Sequence, residues 1–154
     1  MADCTELQIL DKVLDLLEAD AYTTAEFETF ARSAPAVLAS TRLPAVCVEF
    51  GPDGIEPGLP PLEADVLRCH FDIFVVASDA ESEEARDACM NLAKLVYKAL
   101  NRTTNRRGSP HNLWRLAGFG LPKFAGGYVP SDEGRRVRVA IVKYWCEYTE
   151  TLEG

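Results

Sequence analysis

The sequence has no apolar run approaching the length of a membrane span, and its first residues, MADCTELQIL, lack the basic start, continuous apolar stretch and small-residue cleavage site of a secretory signal. These absences point to folding in the cytoplasm, with no membrane partner. There is no CxxC pair, and the five cysteines are an odd number at wide, irregular spacing. That argues against a disulfide framework and for thiols used as small apolar side chains in a reducing compartment. Positive charge is in deficit: 16 Lys and Arg against 24 Asp and Glu leave a net charge of -8. Phosphate backbones should be repelled, and stable binding of DNA or RNA is not expected. Internal repeats and low-complexity tracts are missing as well.

What is present is an ordinary globular composition, 47% hydrophobic and 26% charged over 154 residues, which is most simply one domain, 1–154. Leu7, Leu10, Val13, Leu14 and Leu17 recur at helical spacing behind a Thr5/Gln8 capping box and predict a helix over 6 to 19. Thr23 and Glu26 repeat the capping pattern before Phe27, Phe30 and Ala31, so a second helix is expected to run irregularly past Pro35 to position 42. LPAVCVEFG reads as a short strand over 44 to 50. The stretch GPDGIEPGLPPLEAD should be a loop without ladder pairing, because proline cannot donate and glycine loosens the chain.

A long strand over 65 to 77 follows, with Leu67, Cys69, Phe71, Ile73 and Val75 on one face and a far end, Phe74 and Val76, that is apolar on both. The clearest helix lies between 78 and 101, with acids in its first turn and a stripe of Ala85, Ala88, Cys89, Leu92, Val96 and Ala99. Residues 101 to 132 lack periodicity and are expected to form a long irregular loop, functional or ordered only on docking. The closing strand, RRVRVAIVKYWCEYTE, breaks its own alternation: Val137, Val139 and Ile141 are followed by Val142, Tyr144, Cys146 and Tyr148 on the other parity. Such a change needs a bulge, a centre buried on both faces, or a partner over one end. The fold class is α+β, a mixed or antiparallel sheet packed against helices, with the long loop before the last strand.

Candidate chemistry is sparse. Cys69 and His70 are adjacent and so point to opposite faces of one strand, which disfavours a shared metal site. A Cys/His nucleophilic pair, with His111 as the base, would need a lowered thiol pKa that nothing in the sequence predicts. Asp79, Glu81, Glu83 and Glu84 suit a helix start better than a cation site, and Gly118 and Gly120 are followed by Lys123 where a dinucleotide loop needs a third glycine. No catalytic residue, metal or cofactor is expected. Two basic clusters, Arg102, Arg106 and Arg107, and Arg135, Arg136 and Arg138, stand out on an acidic chain. They fit a phosphate-contacting loop, a solubilising loop, or a subunit interface that meets an acidic patch, where arginine is favoured; Tyr144, Trp145 and Tyr148 fit an interface too, although aromatics in a strand are more often plain core.

The helix LQILDKVLDLLEAD, the strand LPAVCVEFG, the long strand VLRCHFDIFVVAS, the helix EEARDACMNLAKLVYKAL and the closing strand resemble, in order and texture, the tail terminators, or tail completion proteins, of Mu-like and lambda-like tailed phages. The resemblance implies a virion tail protein assembled in the host cytoplasm. Its subunits would form a ring, typically a hexamer, on the last ring of the tail tube protein, stop tube growth, and present a surface to the neck or head connector protein. DNA would pass through the lumen without specific binding, and no enzymatic activity is implied. The alternatives are a neck or head-completion protein, a small cytosolic enzyme, and a monomeric binding module.

Overall fold

Helix α1 (Thr5–Ala19) buries Ile9, Leu10, Val13 and Leu17 as a single stripe, in a computed structural model that describes residues 3–32, 43–57, 66–79, 82–119, 123–124, 129–130 and 136–150. The helix begins after Cys4 with no side-chain cap. Thr5 is already helical, so the Thr5/Gln8 box does not form, and the Gln8 amide donates instead to the Asp3 carbonyl at 2.9 Å. In helix α2 (Ala21–Glu26) the cap is Asp20, whose carboxylate accepts from the Tyr22 N–H at 3.0 Å. Thr23, expected to cap it, is buried and its hydroxyl donates to the Leu17 carbonyl.

The second helix does not continue as expected. Phe27 turns extended, the Glu28 N–H donates to the Pro44 carbonyl at 2.9 Å, and strand β1 (Thr29–Ala31) pairs in parallel with the start of β2 (Ala45–Pro57). Pairing with a distant segment overrides the weak local preference for helix. The rest of that expected helix, 33 to 42, lies outside the described residues.

Strand β2 also outruns its expected end. It passes through Gly51, Pro52, Asp53 and Gly54 as a bulge, the pairing with strand β3 (Val66–Asp79) jumping from Phe50 opposite Phe71 to Ile55 opposite Cys69. Gly54 takes φ +64 there, a conformation that favours glycine. The glycines and prolines break the ladder, but only locally. Residues 58–65 lie outside the described set.

Strand β3 pairs antiparallel with the closing strand β7 (Arg136–Thr149) without interruption, from Val66 opposite Thr149 to Asp79 opposite Arg136. Between them in sequence come helix α3 (Ser82–Leu100), the short helix α4 (Thr103–Arg106), and strands β4 (Leu116–Phe119), β5 (Lys123–Phe124) and β6 (Val129–Pro130), which pair in turn with the far edge of β7. The sheet order is β1-β2-β3-β7-β4, mixed only at β1. The segment expected as a long loop is thus irregular but tied down repeatedly along β7.

Helices α1 and α3 cover one face of the sheet. The main core joins their apolar stripes to Cys69, Phe71, Ile73 and Val75 of β3 and to Ala140, Val142, Tyr144, Cys146 and Tyr148 of β7. The parity change expected in β7 is not a bulge, since the register is continuous. The helix-side face is apolar from Ala140 onward, and the opposite face is apolar at one end, where Val137 and Val139 join Ala45, Cys47, Phe74 and Val76 in a second small core. Where the two patterns overlap, Ala140 and Val142 on the helix side are buried and Val139 and Ile141 on the other face are half-buried. Val137 is fully buried, so Val137→Asp places an unpaired carboxylate in that second core. The expected loss, measured by urea unfolding, is about 3 kcal/mol or more.

Candidate functional site

Beyond Ile141 the face turned away from the helices changes from apolar to charged. Strand β3 offers Arg68, His70 and Asp72, and β7 offers Lys143, Trp145 and Glu147; the antiparallel register sets Asp72 opposite Lys143, His70 opposite Trp145 and Arg68 opposite Glu147. Directly opposed cross-strand side chains are close enough to pair. Lys143 Nζ lies 2.5 Å from the Asp72 carboxylate, and Asp72 is only 8% exposed. Glu147, 4% exposed, sits between Arg68 at 3.9 Å and Arg115 at 3.4 Å. His70 Nε2 meets Glu56 of β2 at 2.8 Å.

Trp145 organises the middle of this face. The Arg68 guanidinium stacks 3.9 Å from its ring centroid, a favourable cation–π contact. The other side of the indole rests on β4 at Gly118, where a Cβ would come within 2.6 Å of the Trp145 ring. Gly118 is therefore a packing glycine and not part of a phosphate loop. Each charge on this face is matched by an opposite one, so removing one partner would strand a poorly hydrated ion, which generally costs about 3–5 kcal/mol. The arrangement makes a charge-paired sheet face centred on Trp145.

A second feature is the hook formed by residues 101 to 116. The Trp114 indole donates to the Asn105 carbonyl at 2.7 Å, and the Asn105 amide donates to the Ala99 carbonyl at 2.8 Å. Gly108, at φ +63, lies so close to Trp114 that a Cβ would meet its carbonyl oxygen at 2.0 Å. This fixed turn presents Arg106 and Arg107 beside Thr103 and Leu116, around a cleft of about 300 Å³. Neither arginine makes an ion pair among the described residues. Arg102 is spent on Asp20, at 2.6 Å, and lies over the Tyr22 ring. Burial alone would raise the Asp20 carboxyl, but Arg102 together with the Tyr22 and Thr23 N–H groups holds it below its ordinary range.

The residues singled out in the sequence therefore separate. Arg106 and Arg107 stand together on the hook. Arg138 lies at the other end of β7, opposite Ala77, and Arg136 begins that strand, while Arg135 falls outside the described residues. Tyr144 and Tyr148, expected at an interface, are each 1% exposed in the chain's own core; only Trp145 of that trio faces away from the helices. Arg68, Asp72, Arg115, Lys143 and Glu147 were missed. Their signal was present in the reversed charge order of the two long strands, Arg68, His70, Asp72 against Lys143, Trp145, Glu147, which matches in antiparallel pairing.

Four of the five cysteines, Cys47, Cys69, Cys89 and Cys146, are buried, and only Cys4 is exposed. Burial pushes the Cys47 and Cys69 thiols up to about 12 and Cys89 up to about 11, and raises Cys146 as well. Thiolate, the reactive form, is suppressed at all four. No group of three or more His, Cys, Asp or Glu among the described residues is arranged to hold a metal ion. His111 lies in the hook, its ring edge-on to Trp114 at 4.3 Å and its Nδ1 accepting from the Leu113 N–H at 3.0 Å. Compared with known proteins, the chain matches no family model and no curated sequence.

Two outcomes follow from these environments. With a disulfide-exchange reagent on the native protein, one thiol, the exposed Cys4, should react fast and the four buried ones only on unfolding; a second fast thiol would reopen a cysteine-based activity. Burial, followed by the nearby Lys12 charge, lowers the His111 pKa from its ordinary 6.5. A depressed folded-state value means its contribution is present above pH 6.5 and lost as pH falls through the folded value. His111→Phe, which keeps the ring against Trp114, should lower stability at pH 7 and lose less of it between pH 7 and 5 than the native chain does, as read from urea midpoints.

Proposed function

We propose that this chain is a structural subunit that assembles as a ring on the head-proximal end of a phage-type tail tube, stops tube growth and offers the surface for head or neck attachment. The observation that carries this reading is the charge-paired face around Trp145. Its ionic groups are engaged on one another across the strand pair, which suits a surface that docks against a repeating protein array better than a site for a charged small molecule. The resemblance in element order to tail terminators supports the same reading.

The mechanism is geometric. A ring of these subunits covers the last exposed layer of the tube and presents a surface that tube subunits do not recognise, so addition ceases. The net charge of -8 would keep passing DNA from adhering to the subunits. Electron microscopy of particles made by the source phage or prophage with this gene deleted tests the reading. Overlong or uncapped tubes without heads are expected. Tubes of normal length that fail to join heads would reassign the subunit to the neck, and normal infectious particles would overturn a role in assembly.

A further inference from the structure

The two edges of the sheet differ in charge. Because β1 pairs only with Ala45, Val46 and Cys47, the outer edge of β2 beyond them pairs with no strand among the described residues. That edge carries Glu49, Asp53 and Glu56, with Glu28 near the start of β1, and it exposes Phe50 (44%) and Ile55 (50%). A groove of about 430 Å³ runs beside it, lined by Leu7, Leu10, Arg32, Glu49 and Phe50. The one cation in that lining, Arg32, is neutralised by Asp11.

The opposite edge, at β4, is basic. Arg106 and Arg107 of the hook and Arg115 stand there, and Lys94 of α3 lies over Tyr97, whose ring packs on Phe119 of β4 at 4.5 Å. Leu116 (37%) and Tyr97 (39%) are the exposed apolar residues on this side. Each edge thus combines an apolar spot with charge of one sign, and the sheet order puts the two at opposite ends of the same layer.

We infer that these edges join copies of this chain head to tail, the Arg106–Arg107 cleft of one copy receiving the Glu49 and Asp53 side of the β2 edge of the next. The inference rests on the ring reading and specifies which surface closes the ring. A contact between two different patches generates a ring when its rotation closes and a filament when it does not, so one such pair of edges is sufficient for assembly. Side chains and not an extended ladder make the join: Pro52 and Pro57 cannot donate, and the bulge at 51 to 54 breaks the edge. Leu116 and Tyr97 then cover apolar surface at Phe50 and Ile55, while Arg106 and Arg107, which make no ion pair among the described residues, meet carboxylates at a rim where charge sets register; Arg115 stays on Glu147.

The test uses two charge-reversed chains and light scattering at low salt. One carries Arg106→Glu with Arg107→Glu, the other Glu49→Lys with Asp53→Lys; circular dichroism checks that both are folded. The native chain is expected to run at a multiple of 17.0 kDa and to dissociate as salt is raised. Each variant alone should fall to the monomer mass, because its two edges now carry like charge, and an equimolar mixture should regain the assembled mass. An assembled native chain whose variants keep its mass would overturn the edge assignment and leave the ring to another surface. A native chain that is monomeric at every concentration and salt tried would overturn the inference itself, whereas the tail-terminating role is decided separately by tail length.

Discussion

Everything in this molecule is referred to one constraint, the uninterrupted antiparallel pairing of β3 with β7. Both strands are 14 residues long, and their register holds from end to end. Since side chains alternate, that register fixes two surfaces at once. One receives the helices along Cys69 to Ala77 and Ala140 to Tyr148. The other receives, in order along the strands, a small apolar core and then a block of paired charges. A slip of one residue would send Tyr144 and Tyr148 outward and Lys143 and Glu147 under the helices, so the register is strongly specified.

The charged block illustrates how a sheet can hold ions with little water around them. Asp72 and Glu147 are buried carboxylates, tolerable only because Lys143 and Arg68 stand directly across the ladder and Arg115 reaches Glu147 from just before β4. Trp145 fills the space between them and turns Arg68 into a stacked, oriented group. Such a network adds little to stability compared with apolar packing. What it gives is a sheet face whose charged groups are held in place by one another. The same economy explains the four buried thiols, Cys47, Cys69, Cys89 and Cys146, which fill core volume as small apolar side chains.

The hook at 101 to 116 is the counterpart on the edge. Its sequence, rich in Asn, Arg and Gly, offers no periodicity, and its order comes from a few long-range anchors, Trp114 on Asn105 and Asn105 on the end of α3. Those anchors hold Arg106 and Arg107 in place without consuming their charge. Among the described residues neither makes an ion pair, while Arg102 and Arg115, nearby in sequence, are spent on internal carboxylates.

Local periodicity by itself determined α1, α3 and the long strands with their helix-facing sides, because repeats of 3.6 and 2 follow directly from backbone geometry. It also determined that Cys69 is a core thiol and that glycine and proline break β2. The missed strand at 29 to 31, the reach of β2 past its bulge and the meaning of the apparent parity change in β7 were decided only in the tertiary structure. Each depends on a partner distant in sequence: Pro44 and Ala45 for β1, Cys69 and Leu67 for the end of β2, and Ala45, Cys47 and Val76 for Val137. Tyr144 and Tyr148 fitted an interface or, as strand aromatics more often do, a core, and the helices covering them decide for the core. The division of Arg106 and Arg107 from Arg136 and Arg138 is of the same kind, since nearness in sequence says nothing about which end of a 14-residue strand a side chain will share.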